Sequence, residues 1–146
     1  SDHGCSFPHD ADRLIPVIDE CKALGVRVSL FMDPIADQMA AAKAVGADRV
    51  ELYTEPYAAA FGTPEQSTQI RRYAAAAEAA QAVGLGVNAG HDLSLRNLTP
   101  FVANVPNVLE VSIGHAFVTD ALELGYAEAV RAYLRSLAAR ADGVLL

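Results

Sequence analysis

Two histidines stand directly after glycine at points where the sequence predicts that a β-strand ends. His91 closes a run that begins at Val87, and His115 closes a run that begins at Ser112. Histidine exchanges protons near neutral pH, and glycine lets the backbone approach a ligand closely. Parallel α/β folds gather their active groups at the carboxyl ends of strands. We therefore expect both side chains to lie at a small-molecule site.

A third candidate is Glu51, which lies inside a predicted strand between Val50 and Leu52. A buried carboxylate is costly unless it is paired or hydrogen-bonded. If Glu51 points away from the helices, it is a candidate to stabilise developing positive charge or to position a proton. Two other interpretations stay open. In the first, Glu51 faces the helices and pairs with Arg49 or Lys43. In the second, the two histidines are ordinary surface residues.

These residues must be positioned by alternating strands and helices. Short β-branched runs predict buried strands of a parallel sheet over residues 26–31, 49–53, 86–88 and 108–113. Helical spacing predicts helices over residues 10–24, 37–45, 63–83, 95–103 and 127–140. The third of these has Thr63 as its cap and Pro64 in its first turn, while residues 53–57 are expected to form a loop. The pattern is four successive βα units with right-handed crossovers.

Glycine ends three of the predicted helices, at Gly25, Gly46 and Gly84, and we expect the left-handed conformation there. Four βα units are too few for a closed barrel, which needs eight and typically about 250 residues. They fit a small open α/β sheet or half of a (β/α)₈ barrel. In a half barrel the last two strands would be the seventh and eighth, whose loops often bind phosphate. A short helix entered at residues 117–120 fits that role.

Length and composition limit the classes of function. The chain has 146 residues, of which 52% are hydrophobic, and this predicts a single domain over residues 1–146 with a packed core. A net charge of -7 argues against nucleic acid or an anionic membrane as the main partner. We expect no membrane span and no signal peptide. Cys5 and Cys21 predict neither a disulfide framework nor a metal site, so we expect a cytoplasmic protein.

The strand ends resemble those of the pyridoxine 5′-phosphate synthases, the PdxJ family. The resemblance is carried by VSLFMD at residues 28–33, VNAGHDL at 87–93 and EVSIGHA at 110–116, and it extends over nearly the whole chain. It implies a TIM (β/α)₈ barrel in which this chain covers strands five to eight, and a cytoplasmic homo-octamer. The implied reaction joins 1-deoxy-D-xylulose 5-phosphate to 3-amino-2-oxopropyl phosphate. It yields pyridoxine 5′-phosphate, phosphate and water in vitamin B6 biosynthesis, with no metal or organic cofactor.

The resemblance also implies roles for individual residues. His91 corresponds to the proton donor, and Glu51 corresponds to the glutamate that stabilises the transition state. Asp92, Gly114 and His115 correspond to positions that bind 3-amino-2-oxopropyl phosphate, and some members have glycine where this chain has Asp92. A further catalytic histidine and glutamate of the family belong to the first half of the barrel. The resemblance therefore implies that these 146 residues alone do not catalyse the full reaction.

Two alternative functions stay open beside this one. The chain could be a non-catalytic half barrel that binds phosphate and associates with itself, since an isolated half exposes two open sheet edges. It could also belong to a different phosphate-handling barrel enzyme. In each case the expected partners are small phosphorylated molecules.

Overall fold

A parallel sheet flanked by helices forms the body of the molecule. The computed structural model describes residues 3–142, and it describes side chains as far as residue 138. The four strands lie in chain order as β1 (Ser29–Met32), β2 (Arg49–Tyr53), β3 (Gly86–Gly90) and β4 (Val108–Ser112). The helices are α1 (Ala11–Ala23), α2 (Met39–Ala44), α3 (Glu55–Ala60), α4 (Gln66–Ala82), α5 (Leu98–Asn104), α6 (His115–Leu124) and α7 (Tyr126–Asp142). This is the α/β arrangement of a partial TIM barrel.

The predicted strands are confirmed, with shifts at their ends. β2 has its predicted bounds, and β3 continues two residues further, to Gly90. β1 begins three residues later than predicted, at Ser29. Val26 is exposed, and its amide donates to the Cys21 carbonyl at 2.9 Å, so it closes the end of α1 instead of joining the sheet.

The helix predictions are confirmed in part. The expected loop over residues 53–57 is wrong, because helix α3 starts at Glu55 with a proline in its first turn. α4 begins at Gln66 and not at Pro64. The Thr63 hydroxyl accepts from the Glu65 amide at 3.2 Å, and the Gln66 side chain accepts from the Gly62 amide at 2.8 Å. These capping contacts therefore close a turn that precedes the helix.

Three helix ends have the predicted glycine conformation. Gly25, Gly46 and Gly84 have φ angles of 73°, 101° and 77°, which only glycine adopts without strain. Each glycine reverses the chain between a helix and the strand that follows. Within residues 3–142 no helix is long and apolar enough to cross a bilayer.

Alternation along the strands gives the sheet two unlike faces. One face packs against the helices and carries apolar side chains that are buried: Leu30, Met32, Val50, Leu52, Val87 and Ala89. A stripe of wholly buried alanines, Ala76, Ala77 and Ala80, lies on α4. The other face, which we call the open face, carries Phe31 and Glu51 together with the polar residues of β3 and β4. Small side chains in the core let helix and sheet approach closely, so the sheet behind the open face is backed by closely packed helices.

Candidate active site

A pocket of about 350 Å³ lies at the carboxyl ends of β3 and β4. Nine residues line it, namely Glu51, His91, Asp92, Leu93, Ser112, Ile113, Gly114, His115 and Ala116. The five residues singled out in the sequence are all among them. They come from three strand ends that the parallel register brings to the same edge of the sheet.

Glu51 lies on the open face of β2 and points towards β3 and β4. Its carboxylate accepts a hydrogen bond from the Ser112 hydroxyl at 3.2 Å. A Cβ at Gly90 would collide with this carboxylate, so glycine leaves room for Glu51 in the position that it occupies. The interpretation of Glu51 as a helix-facing partner of Arg49 or Lys43 is wrong. Arg49 pairs with Glu110 at 2.8 Å instead, and the Lys43 amine donates to a backbone carbonyl at 3.1 Å.

His91 is half-buried and its ring packs among aromatic side chains. The ring centroid lies 4.8 Å from that of Phe31 and 5.1 Å from that of Tyr53. The backbone is unusual here, because His91 has a φ of 87° and Asp92 a φ of 58°. Such conformations cost about 1–3 kcal/mol each outside glycine and persist only where the surroundings hold them. Strain of this kind is often found at functional sites.

Two buried polar side chains hold the loop that carries His91. Thr54 is wholly buried, and its hydroxyl donates to the Gly90 carbonyl at 2.7 Å. Asn97 is 5% exposed, and its side-chain nitrogen donates to the Asp92 carbonyl at 3.1 Å. The Asn97 side-chain oxygen accepts from the Ser94 amide at 2.8 Å. The loop is therefore held from both of its ends.

Sequence reasoning missed both of these residues. Thr54 and Asn97 directly precede helices, a position typical of N-capping residues. Neither makes a side-chain capping hydrogen bond to its own helix. Their contacts are to the β3 loop, and for Thr54 these partners are 36 and 37 residues away in the sequence. The only sequence signal was that Thr54 directly follows a predicted buried strand.

The β4 end is built differently. Gly114 and His115 are both exposed, and His115 is the first residue of α6. The short helix predicted to begin within residues 117–120 therefore starts two residues earlier. Val118 donates to the Gly114 carbonyl at 3.1 Å, so the amides that precede it point out of the helix start. Free amides at a helix start favour an anion such as phosphate.

A charged cluster lies lower on the open face, towards the amino ends of the strands. Glu110 pairs with Arg49 at 2.8 Å and with Arg27 at 3.2 Å. The buried Asn88 side chain donates to Glu110 at 3.1 Å and accepts from Arg49 at 3.1 Å. Desolvation raises the pKa of Glu110, but the two arginines together outweigh it and lower the pKa below its ordinary value. Glu110 is thus an ionised structural residue.

Two buried tyrosines support the site from the helix side. Desolvation raises the pKa of Tyr57 to about 12 and raises that of Tyr73 as well. Both phenols therefore stay protonated at neutral pH and act as donors. Tyr57 donates to the Asn97 carbonyl at 2.8 Å, and Tyr73 donates to the Tyr53 carbonyl. In the part of the chain that the structure describes, no group of three or more His, Cys, Asp or Glu side chains is arranged to hold a metal ion.

Comparison with known proteins gives a consistent set of relatives. The family described as "Pyridoxal phosphate biosynthesis protein PdxJ" matches residues 1–139. A protein of Albidiferax ferrireducens named pyridoxine 5′-phosphate synthase is 62% identical over 138 residues, which cover 94% of this chain and 55% of the relative. A protein of the same name from Xanthomonas campestris pv. campestris is 54% identical, over 94% of this chain and 54% of the relative. Another from a Chelativorans species is 52% identical, over 92% of this chain and 55% of the relative. The chain spans about half the length of these curated relatives.

Proposed function

The chain belongs to the PdxJ family, and from that premise we propose that it forms the carboxyl-terminal half of a pyridoxine 5′-phosphate synthase. In this proposal residues 1–146 are a single domain that supplies strands five to eight of the barrel. The complete protein condenses 1-deoxy-D-xylulose 5-phosphate with 3-amino-2-oxopropyl phosphate. The products are pyridoxine 5′-phosphate, phosphate and water.

His91 acts as the proton donor in this proposal, and Glu51 stabilises positive charge that develops beside it. Schiff-base formation, dehydration and loss of phosphate all require proton transfers at carbon or oxygen. A positioned histidine contributes about 10²–10⁴-fold to such steps. The aromatic contacts of the His91 ring and the room that Gly90 leaves for Glu51 support these two roles.

The end of β4 binds the phosphate of 3-amino-2-oxopropyl phosphate. Gly114 and His115 supply backbone amides and an imidazole at the start of α6, and Asp92 lines the same pocket. Holding the phosphate there fixes the reacting amine and ketone relative to His91. The support for this assignment is the unpaired helix start at the pocket wall.

One observation carries the proposal. Glu51, His91 and His115, which lie far apart in sequence, line the same pocket of about 350 Å³. This volume suits a small molecule and not a polymer. A proton-transfer group and an anion-binding helix start in one pocket are the minimum that a reaction on a small phosphorylated substrate requires.

The test compares two proteins, the 146-residue chain alone and the complete protein that contains it. We expect the complete protein to form pyridoxine 5′-phosphate from the two substrates. The chain alone should show no turnover, because the other acid–base groups of the family belong to the first half of the barrel. A complete protein without this activity would overturn the proposed function. Normal turnover by the chain alone would overturn the proposal that the catalytic groups are divided between the two halves of the barrel.

We further propose that the complete protein is a cytoplasmic homo-octamer, as the family resemblance implies. Exposed apolar side chains at the α6–α7 end, among them Leu122 at 84% and Tyr126 at 72%, support association with other protein surfaces. The same exposure favours the second candidate function, a phosphate-binding half barrel that pairs with itself. Light scattering separates the two. A concentration-dependent dimer of the 146-residue chain, together with a complete protein that lacks ring-closing activity, would favour the second.

A further inference from the structure

We propose that Thr54 is a positioning residue that directs the His91 imidazole into the pocket. The inference deepens the proposed function, since it rests on a catalytic role for His91. Thr54 lies between the end of β2 and the start of α3 and is wholly buried. It does not line the pocket, so it acts on the reaction through the residues that it holds and not by touching substrate.

The contacts of Thr54 are concentrated on two consecutive carbonyl groups. Its hydroxyl lies 2.7 Å from the Gly90 carbonyl oxygen and 2.5 Å from that of His91. Its backbone amide also donates to the Gly90 carbonyl, at 2.8 Å. A hydroxyl has a single proton to donate, which these two acceptors share. The side chain thus holds both peptide groups that flank the His91 α-carbon.

Those two peptide groups decide where the His91 side chain points. His91 and Asp92 both have positive φ angles, a conformation that the surroundings must hold. In a relaxed extended backbone the His91 carbonyl would turn, and the Cα–Cβ bond would turn with it. The ring would then leave its place between Phe31 and Tyr53. Thr54 opposes that rotation from a position that substrate never reaches.

The position of Thr54 in its own element points the same way. Threonine before a helix ordinarily accepts an amide hydrogen bond from the first turn. Thr54 makes no such side-chain bond to α3, and its hydroxyl is directed at the neighbouring strand end instead. The hydroxyl therefore stabilises the β3 loop and does not cap the helix that it precedes.

The experiment compares three variants of the complete protein by steady-state kinetics and crystallography. Thr54→Val keeps the shape and removes the donor, while Thr54→Ser keeps the donor. Thr99→Val is the matched control, because the Thr99 hydroxyl donates to the Ser136 carbonyl at 3.0 Å, away from the pocket lining. We expect Thr54→Val to lower kcat about 10- to 100-fold with little change in KM. Thr54→Ser should keep most of the kcat, Thr99→Val should keep all of it, and the crystal structure of Thr54→Val should show His91 turned away from Phe31.

Other outcomes overturn the inference. It fails if Thr54→Val keeps the kcat of the unsubstituted protein, if Thr99→Val loses as much, or if the His91 backbone is unmoved in the Thr54→Val crystal. If Thr54→Val does not fold, Thr54→Cys, which has a weaker donor of similar size, must give an intermediate kcat. If the unsubstituted protein forms no pyridoxine 5′-phosphate, the proposed function fails separately. The crystallographic comparison still decides whether Thr54 directs His91.

Discussion

A glycine followed by a histidine stands at the end of β3, as Gly90 and His91, and shortly after β4, as Gly114 and His115, and the structure holds the two pairs in different ways. At the first, His91 is half-buried, packs against two aromatic rings and has a positive φ angle. At the second, His115 is exposed and starts a regular helix. Buried side chains hold the first loop, whereas the side-chain bond to the second, from the Thr119 hydroxyl to the His115 carbonyl, is exposed.

The difference matches the two chemical tasks that we propose for His91 and His115. A group that transfers a proton needs a fixed direction, and the β3 loop provides one through strain and buried hydrogen bonds. A group that binds phosphate needs charge and donors near the surface, and a helix start provides both. Similar sequence motifs at two strand ends therefore need not have similar roles.

The largest expected effect comes from removing the imidazole at the β3 end. In the complete protein, His91→Asn should lower kcat by about 10²–10⁴-fold with little change in KM, because the lost group acts in proton transfer. Steady-state formation of pyridoxine 5′-phosphate measures both constants. A variant that keeps the kcat of the unsubstituted protein would end the distinction between the two loops.

Alanine at the two glycines tests how tightly each strand end is packed. Gly90→Ala should lower the free energy of unfolding by about 1–3 kcal/mol, since its Cβ collides with the Glu51 carboxylate and lies 3.0 Å from the Ser112 Cβ. Gly114→Ala should lower it by less than Gly90→Ala does, because its Cβ meets no atom within 4 Å. Urea denaturation measures both. Equal losses would contradict the contrast in packing.

His115 should affect binding more than the chemical step. We expect His115→Asn to raise the KM for 3-amino-2-oxopropyl phosphate about 10-fold, the size of a lost hydrogen bond to a charged group. The kcat should stay close to that of the unsubstituted protein, because uniform binding is lost. The KM for 1-deoxy-D-xylulose 5-phosphate serves as the internal control. A fall in kcat as large as that of His91→Asn would show that both loops serve proton transfer.

The smallest expected effect concerns a support of the β3 loop. Tyr57→Phe removes the hydrogen bond to the Asn97 carbonyl and should lower the free energy of unfolding by about 1 kcal/mol. The matched change at the β4 end is Thr119→Val, which removes an exposed bond to the His115 carbonyl. It should have an effect below about 0.5 kcal/mol. Urea denaturation at pH 7 compares the two variants.

Alkaline pH gives a second readout of Tyr57. Its pKa is raised to about 12 in the folded protein, above the ordinary value of 10.0. The associated stability is fully present below pH 10 and is lost as the pH rises through 12. Tyr57→Phe should therefore lose less stability than the unsubstituted protein between pH 10 and pH 12. An unchanged slope would mean that burial of this phenol does not couple to folding.

Sequence reasoning found the strands and the pocket residues for a physical reason. Apolar β-branched runs mark a sheet buried under helices, and strand ends in such sheets share an edge. β2 was predicted with its observed bounds, and Glu51, His91 and His115 line a common pocket. These features depend on local residue patterns and on a general property of parallel sheets.

The remaining features depend on contacts that local patterns do not contain. The hydroxyl of Thr54 bonds to residues that are 36 and 37 positions away, so nothing near Thr54 indicates its partners. Helix α3 has six residues, too few for a helical period to emerge. The positive φ angle of His91 is likewise not indicated by the local sequence, because few residues other than glycine adopt a positive φ.

The alanine stripe on α4 limits how this protein can vary. Ala76, Ala77 and Ala80 have no exposed surface, so a larger side chain at any of them must displace the helix or the sheet. The opposite side of the same helix, where Ala75 and Glu78 are exposed, carries no such limit. Over evolutionary time substitutions should accumulate on that outer side while the stripe keeps its small residues. Saturation mutagenesis of α4 would then show that tolerance to larger side chains rises and falls along the helix with a helical period.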